Sequence, residues 1–193
     1  MQYDTRTALL VIDMQNDFAD PAGSLYVPQG EAVVPVINVQ IGAAQAAGAT
    51  VVYTRDWHPP RTPHFKPDGG VWPVHCVRDT WGAALHPRLT VVGPVVSKGR
   101  GGEDGYSGFC VRDPADGTQH DTELHGLLSA RGVRTLVLAG LATDYCVRAT
   151  GLDALRLGYR VVLLRAAVRA VDVKPGDGDR ALAELEAAGA ALE

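Results

Sequence analysis

Five reactive side chains follow apolar, strand-like runs of this chain. They are, in order, Asp13, Asp56, His58, Lys98 and Cys146. A desolvated carboxylate beside a thiol suits acyl transfer, because the carboxylate takes the thiol proton and the sulfur attacks a carbonyl carbon. A nearby lysine stabilises the carboxylate and the negative charge that develops on the substrate. The sequence therefore predicts a nucleophilic site with Asp13 as base, Lys98 as electrostatic stabiliser and Cys146 as nucleophile.

The segment 140–147 places Cys146 where a strand gives way to a helix. Free backbone N–H groups and the positive end of the helix dipole favour a thiolate there, and the same N–H groups suit an oxyanion. Simpler interpretations exist: Asp13 as a turn cap, Lys98 as a solvated lysine and Cys146 as a small buried hydrophobe. The shared position of these residues past strand ends favours a site.

Histidines and a carboxylate gather around the aperiodic segment 57–88. Asp56, His58 and His75 form a set typical of divalent transition-metal sites, and His64 is a further candidate ligand. Such a set leaves coordination positions open for water or substrate, and zinc, iron(II) and manganese(II) all fit it. The sequence predicts one divalent metal ion as cofactor, and hydrogen-bonded loop histidines are the alternative.

Aromatic side chains accompany these groups. Phe18, Trp57, Trp72 and Tyr106 fall in loops, although aromatic residues make up only 6% of the chain. They either plug the end of the sheet or form walls on which a flat ring stacks. The second interpretation predicts a planar aromatic small-molecule substrate.

Strand-like and helix-like segments alternate along the chain. The predicted strands are 7–12, 50–54, 91–96, 135–139 and 159–164, and the predicted helices are 35–47, 124–132, 143–158 and 178–188, followed by a short edge strand. This alternation predicts right-handed crossovers and a three-layer α/β/α sandwich with a mostly parallel central sheet. Ligands bind outside the carboxyl ends of such strands, where the reactive residues are expected to meet.

Composition limits the class of protein. With 193 residues, 46% of them hydrophobic and 21% charged, the chain is predicted to be a soluble protein with a single domain, 1–193. A net charge of −4 disfavours nucleic acid and anionic lipid as partners. Apolar runs of strand length predict no membrane span, and the charged start does not resemble a secretory signal, so a cytoplasmic location is expected. A homo-oligomer is compatible with these features.

Six motifs, in order along nearly the whole chain, carry a family resemblance. They are Val11–Phe18, Thr54–Pro59, Trp72–Val77, Ser97–Gly99, Tyr106–Phe109 and Gly140–Val147. Together they resemble the nicotinamidase/pyrazinamidase family of the isochorismatase-like cysteine hydrolase superfamily. The resemblance implies that superfamily's fold and the hydrolysis of nicotinamide to nicotinate and ammonia. This reaction belongs to pyridine-nucleotide salvage in NAD biosynthesis, and pyrazinamide is an accepted analogue.

The same resemblance implies roles for particular residues. The implied catalytic triad is Asp13, Lys98 and Cys146, and the implied oxyanion hole is the backbone N–H groups of Ala142 and Cys146, with a cis peptide bond before Ala142. The implied metal ligands are Asp56, His58 and His75, with His64 used by some members. The residues implied to line the substrate ring are Phe18, Trp72 and Tyr106.

Other functions remain open at this stage. Related cysteine amidases that act on carbamoyl or ureido groups, such as N-carbamoylsarcosine, share the triad but generally lack the Trp-Pro-x-His element at 72–75. Enzymes of the superfamily that cleave isochorismate include members without the cysteine and the metal set, so Cys146 weighs against that class. A binding module whose metal staples a loop is disfavoured by the complete triad.

Overall fold

The computed structural model describes residues 2–193. Its strands are β1 (Thr7–Ile12), β2 (Thr50–Asp56), β3 (Val95–Lys98), β4 (Cys110–Arg112), β5 (Gln119–Asp121), β6 (Thr135–Leu141), β7 (Arg160–Arg169) and β8 (Ala191–Leu192). Its α-helices are α1 (Asn16–Ala19), α2 (Val34–Ala46), α3 (Leu124–Ala130), α4 (Arg148–Arg156) and α5 (Asp177–Ala187). The central sheet has the order β3-β2-β1-β6-β7-β8, and all its pairings are parallel.

Both faces of the sheet are covered. Along β1, Leu9 packs into a buried cluster with Ile37 of α2, whereas Leu10 packs on the opposite face with Leu185 of α5. Burial on both faces explains why β1 is a continuous apolar run, and each fully buried leucine contributes roughly 1.5–3 kcal/mol. The predicted three-layer α/β/α sandwich is confirmed, with a sheet that is parallel throughout.

Strand β3 begins later than the sequence predicts. The apolar run starts at Val91, but the strand starts at Val95 because Pro94 has no N–H to donate. Gly93 also lies so close to β2 that a Cβ on it would be 2.0 Å from the carbonyl oxygen of Val51. The strand then continues to its last residue, Lys98, which therefore has a position fixed by the sheet.

Two local structures differ from the predicted elements. The segment between Lys98 and Leu124, for which the sequence predicts no strand, contains β4 and β5, which pair in an antiparallel hairpin. β5 is exposed along its whole length and β4 is only partly buried, so neither strand has an apolar pattern. Thr143–Val147 forms a π-helical turn before α4, where a first α-helical turn was expected. Within residues 2–193, no helix has the length and apolar character needed to cross a bilayer.

Candidate active site and metal centre

The ends of β1 and β3 and the turn after β6 bring a carboxylate, an ammonium group and a thiol together. Lys98 Nζ lies 2.9 Å from Asp13 Oδ2 and 3.7 Å from Cys146 Sγ. Asp13 accepts a hydrogen bond from the Thr54 hydroxyl at 2.7 Å. All three groups are buried. The structure thus places the predicted cation in contact with both the predicted base and the predicted nucleophile.

The electrostatics of this cluster set its resting protonation. Burial raises the pKa of Asp13 and raises the pKa of Cys146 well above its ordinary value, and Lys98 opposes both shifts. Burial alone lowers the pKa of Lys98, but Asp13 and Asp56 together hold it well above its ordinary value. At neutral pH the amine is therefore charged and the thiol is protonated.

This protonation differs from the thiolate expected at a helix start. Cys146 sits in a buried π-helical turn, where the cost of desolvating a thiolate outweighs the attraction of the helix dipole. A neighbouring base must therefore remove the thiol proton during reaction. Asp13 is positioned to do so.

Close packing of β6 on β1 shapes the turn that carries the thiol. Gly140 has φ +119°, and a Cβ on it would lie 2.0 Å from the carbonyl oxygen of Ile12. The Leu141–Ala142 peptide bond is cis, as the resemblance implies. Asp144 accepts hydrogen bonds from two consecutive backbone N–H groups after β7, at 3.0 and 2.9 Å, and so fixes the turn. Ala142 and Cys146 both line the adjacent pocket.

Three histidines converge beside the triad. One ligand nitrogen each from His58, His64 and His75 lies within 4.8 Å of the others. Within the described part of the chain, both ring nitrogens of His58 are buried without a hydrogen-bond partner, a costly arrangement unless another group binds one of them. Burial lowers the pKa of His75 to about 4, so this imidazole is neutral at pH 7 and has a lone pair for a metal. The histidine set fits a divalent metal ion.

Asp56 connects the histidine cluster to the triad. One carboxylate oxygen, Oδ2, lies 3.7 Å from His58 Nε2 and 3.9 Å from His75 Nε2, while the other contacts Lys98. Burial alone raises the pKa of Asp56, but Lys98 and His58 hold it well below its usual range. Asp56 is therefore ionised and adjacent to the imidazoles, as a fourth metal ligand must be.

Two bracing residues were not found by sequence reasoning. The Gln15 side chain donates to the Asp56 carbonyl and accepts from the Asp56 N–H, both at 2.7 Å, which fixes the backbone of Asp56. Asp17 accepts from the N–H of Cys76 at 2.6 Å and of Ser24 at 3.0 Å. Both lie in the predicted motif 11–18, and a polar residue in an otherwise buried segment is the signal that would have identified them.

A pocket opens above the thiol and the metal centre. Its volume is about 460 Å³, including the space open to solvent at its mouth. The predicted residues Phe18, Trp72 and Tyr106 line it. The Trp72 indole N–H donates to the Tyr106 hydroxyl at 3.0 Å, so these two walls form one unit. Lining residues that sequence reasoning missed are Leu25, Val27, Gly105, Tyr145 and Val171. Predominantly apolar walls with a few convergent polar groups are typical of small-molecule sites.

Trp57, the remaining loop aromatic, does not line this pocket. The Arg55 guanidinium instead stacks over its ring, 3.6 Å from the centroid. A parallel sheet, a buried thiol and carboxylate on either side of a lysine, and an aromatic pocket are the features expected of a cysteine-dependent hydrolase of the α/β class.

Comparison with known proteins identifies the family. The isochorismatase domain matches residues 7–193. Nicotinamidase of Escherichia coli is 38% identical, over 96% of this chain and 93% of the relative. The crystal structure of Pyrococcus horikoshii pyrazinamidase in complex with zinc matches with a TM-score of 0.86 and 41% identity, covering 97% of this chain and 98% of that one. The chain belongs to the isochorismatase family.

A second solved structure includes a ligand. PnC1 from L. infantum in complex with nicotinate matches with a TM-score of 0.88 and 36% identity, covering 100% of this chain and 95% of that one. The predicted family membership and fold are confirmed by these matches.

Proposed function

We propose that this chain hydrolyses nicotinamide to nicotinate and ammonia, with pyrazinamide as a second substrate. It is a nicotinamide amidohydrolase whose nucleophile is a cysteine. The observation that carries the proposal is the contact of Lys98 with both Asp13 and Cys146. This cluster borders a pocket whose Trp72–Tyr106 wall suits a flat ring. The nicotinamidase and pyrazinamidase similarities over nearly the full chain support the same substrate class.

The first half of the reaction forms a thioester. Asp13 takes the Cys146 proton as the sulfur attacks the carboxamide carbon. The carbonyl oxygen becomes negatively charged and is stabilised by the backbone N–H groups of Ala142 and Cys146. Protonated Asp13 then gives its proton to the amide nitrogen, the C–N bond breaks and ammonia leaves. Throughout, Lys98 offsets the negative charge that passes among Asp13, the sulfur and the substrate.

The second half releases the acid. Asp13 takes a proton from a water molecule as that water adds to the thioester carbonyl. The C–S bond breaks, the sulfur recovers the proton from Asp13, and nicotinic acid leaves and loses its carboxyl proton to solvent as nicotinate. The buried thiol is thereby returned to its protonated resting state.

Asp56, His58, His64 and His75 would hold one divalent ion, which is zinc, iron or manganese. A bound ion would supply a Lewis acid for the ring nitrogen of the substrate and would thereby help to position the carboxamide at Cys146. The orphaned nitrogens of His58 support this assignment. Cys76, Cys110 and Cys146 are all free thiols. A cysteine nucleophile must stay reduced, and the cytoplasm keeps thiols reduced, so this cysteine chemistry supports a cytoplasmic location.

An ammonia-release panel tests the proposal. Purified protein with measured metal content is offered nicotinamide, pyrazinamide and N-carbamoylsarcosine, with isochorismate cleavage followed separately. We expect turnover of the two ring carboxamides only, and Cys146→Ala to lose about 10⁴-fold or more of it. Cys110→Ala, a matched change at a half-buried thiol outside the cluster, keeps the activity. Preference for N-carbamoylsarcosine, or substantial turnover by Cys146→Ala, would contradict the proposal.

A further inference from the structure

The three candidate histidine ligands are oriented in different ways. His75 Nδ1 lies 2.7 Å from the carbonyl oxygen of Pro73, two residues earlier in the same loop. His64 Nδ1 lies 3.2 Å from a carboxylate oxygen of Asp104, which belongs to a different loop. Both ring nitrogens of His58 lack a hydrogen-bond partner among residues 2–193. Asp56 lies near Nε2 of His58 and of His75, but among these three histidines only His64 has its Nδ1 against a carboxylate.

The Asp104 contact determines which nitrogen of His64 can bind a metal. An ionised carboxylate has no proton to donate, and it repels a nitrogen lone pair that faces it, so the 3.2 Å contact favours the proton on Nδ1 of His64. The lone pair is then on Nε2, which leaves that nitrogen free to bind a metal. Partners of this kind fix the tautomer and ring orientation of metal-binding histidines and increase their basicity.

Asp104 is itself held in place on its other side. Its second carboxylate oxygen accepts from the Arg112 guanidinium at 3.1 Å, and the two backbones exchange hydrogen bonds of 2.7 and 2.6 Å. Gly105 follows with φ +139°, and then Tyr106 enters the pocket wall. The segment that contacts His64 therefore also places a residue that lines the substrate pocket.

We propose that Asp104 is a positioning residue for the metal centre, because its carboxylate holds His64 in the Nδ1–H tautomer and presents Nε2 to the ion. This inference rests on the metal site of the proposed function. Asp104 is not among the residues that line the pocket, so it would act through His64. Its role is to increase metal affinity through His64 while its backbone pairing keeps Tyr106 at the pocket.

The test compares two carboxylates that brace neighbouring loop segments. In Asp104→Asn the charged acceptor for His64 is lost, whereas the control Asp68→Asn changes a carboxylate that contacts Arg61 and the Thr62 N–H but no imidazole. Zn²⁺ affinity of the full-length protein is measured by competition with a chromophoric chelator. We expect Asp104→Asn to weaken Zn²⁺ binding by about 10–100-fold. We expect Asp68→Asn to leave Zn²⁺ binding close to that of the wild type.

A second measurement reads the tautomer of His64 directly. Long-range nitrogen-15 correlation spectra of the wild-type histidine rings, recorded with the metal removed, are expected to show His64 protonated at Nδ1. In Asp104→Asn the Nε2–H form becomes populated. A wild-type His64 protonated at Nε2, or equal loss of Zn²⁺ affinity in both variants, would overturn the inference. Both readouts are independent of nicotinamide turnover, so a protein that binds Zn²⁺ as expected but releases no ammonia refutes only the proposed function.

Discussion

The proposed catalytic cluster of Asp13, Lys98 and Cys146 and the proposed metal centre of His58, His64 and His75 are neighbours, but different parts of the fold position them. Asp13 and Lys98 lie at the ends of parallel strands, so the register of the sheet fixes their positions. The three histidines come from the loop after β2, which contains little regular structure. That loop is held by hydrogen bonds from side chains to the backbone, such as the one from the Cys76 N–H to Asp17. Asp56, the last residue of β2, contacts both regions.

This difference has an energetic consequence. The charged groups of the catalytic cluster are buried at the end of the sheet, so removing one of them leaves its partner's charge uncompensated. The histidine loop depends on a few individual hydrogen bonds, each worth about 1 kcal/mol and somewhat more when a charged group takes part. We therefore expect substitutions in the catalytic cluster to cost more stability than substitutions of the loop braces.

The largest effect on stability is expected from Lys98→Met. The substitution leaves the buried carboxylates of Asp13 and Asp56 without their cation. Removing one partner from a buried ionic cluster costs about 3–5 kcal/mol, to be measured as the free energy of unfolding in urea at pH 7. The loss of unfolding free energy becomes smaller as the pH falls, because the unpaired buried carboxylates bind protons more tightly in the folded than in the unfolded chain.

Lys174→Met is the control for this substitution, since it removes an exposed lysine from a surface loop. It is expected to stay within about 0.5 kcal/mol of the wild type. Equal stability of the two variants would show that the buried ammonium is not needed to balance the carboxylates.

A smaller effect is expected from Asp17→Asn, which weakens a brace of the histidine loop. One carboxylate oxygen is replaced by an amide NH2 group, which cannot accept a hydrogen bond. Either the Cys76 N–H or the Ser24 N–H therefore loses its acceptor. Leaving such a buried donor unpaired costs about 1–3 kcal/mol of unfolding free energy. Limited proteolysis is expected to cut the loop 57–76 faster in this variant. Asp20→Asn is the control, because Asp20 accepts only from the nearby Ala22 N–H in a partly exposed turn; a matching loss there would argue against the brace.

The same division explains how much the sequence alone could predict. The residues that follow strands were identifiable because apolar runs predict strands, and a parallel sheet gathers their carboxyl ends. Gln15 and Asp17 were missed, since their partners are backbone groups of residues far along the chain. The hairpin of β4 and β5 was missed because an exposed strand leaves no hydrophobic period. The resting state of Cys146 also required the structure, since it depends on burial within a π-helical turn.

The pH dependence of turnover tests the assignment of the base. Burial raises the pKa of Asp13 above its ordinary value, and the mechanism needs this carboxylate ionised to accept the thiol proton. As pH falls through that raised pKa, kcat/KM is therefore expected to fall about tenfold per pH unit. The pKa of the Cys146 thiol is well above 9.0, so no gain in rate is expected on the way to pH 9. Ammonia release with Zn²⁺ kept saturating measures the profile, and a rate that climbs steadily to pH 9 would mean that solvent, not Asp13, ionises the thiol.

The smallest effect is expected in the pocket wall, from Trp72→Phe. This change keeps an aromatic face but removes the indole N–H that donates to the Tyr106 hydroxyl at 3.0 Å. A hydrogen bond of this kind contributes about 1 kcal/mol, which corresponds to a KM raised about fivefold. The wall contacts the ring equally before and during reaction, so kcat should be unchanged. Trp81→Phe, at an indole that is 53% exposed, is the control. A fall in kcat for Trp72→Phe would instead mean that the wall helps to hold the carboxamide at Cys146, and that loop and sheet act as one unit in the chemical step.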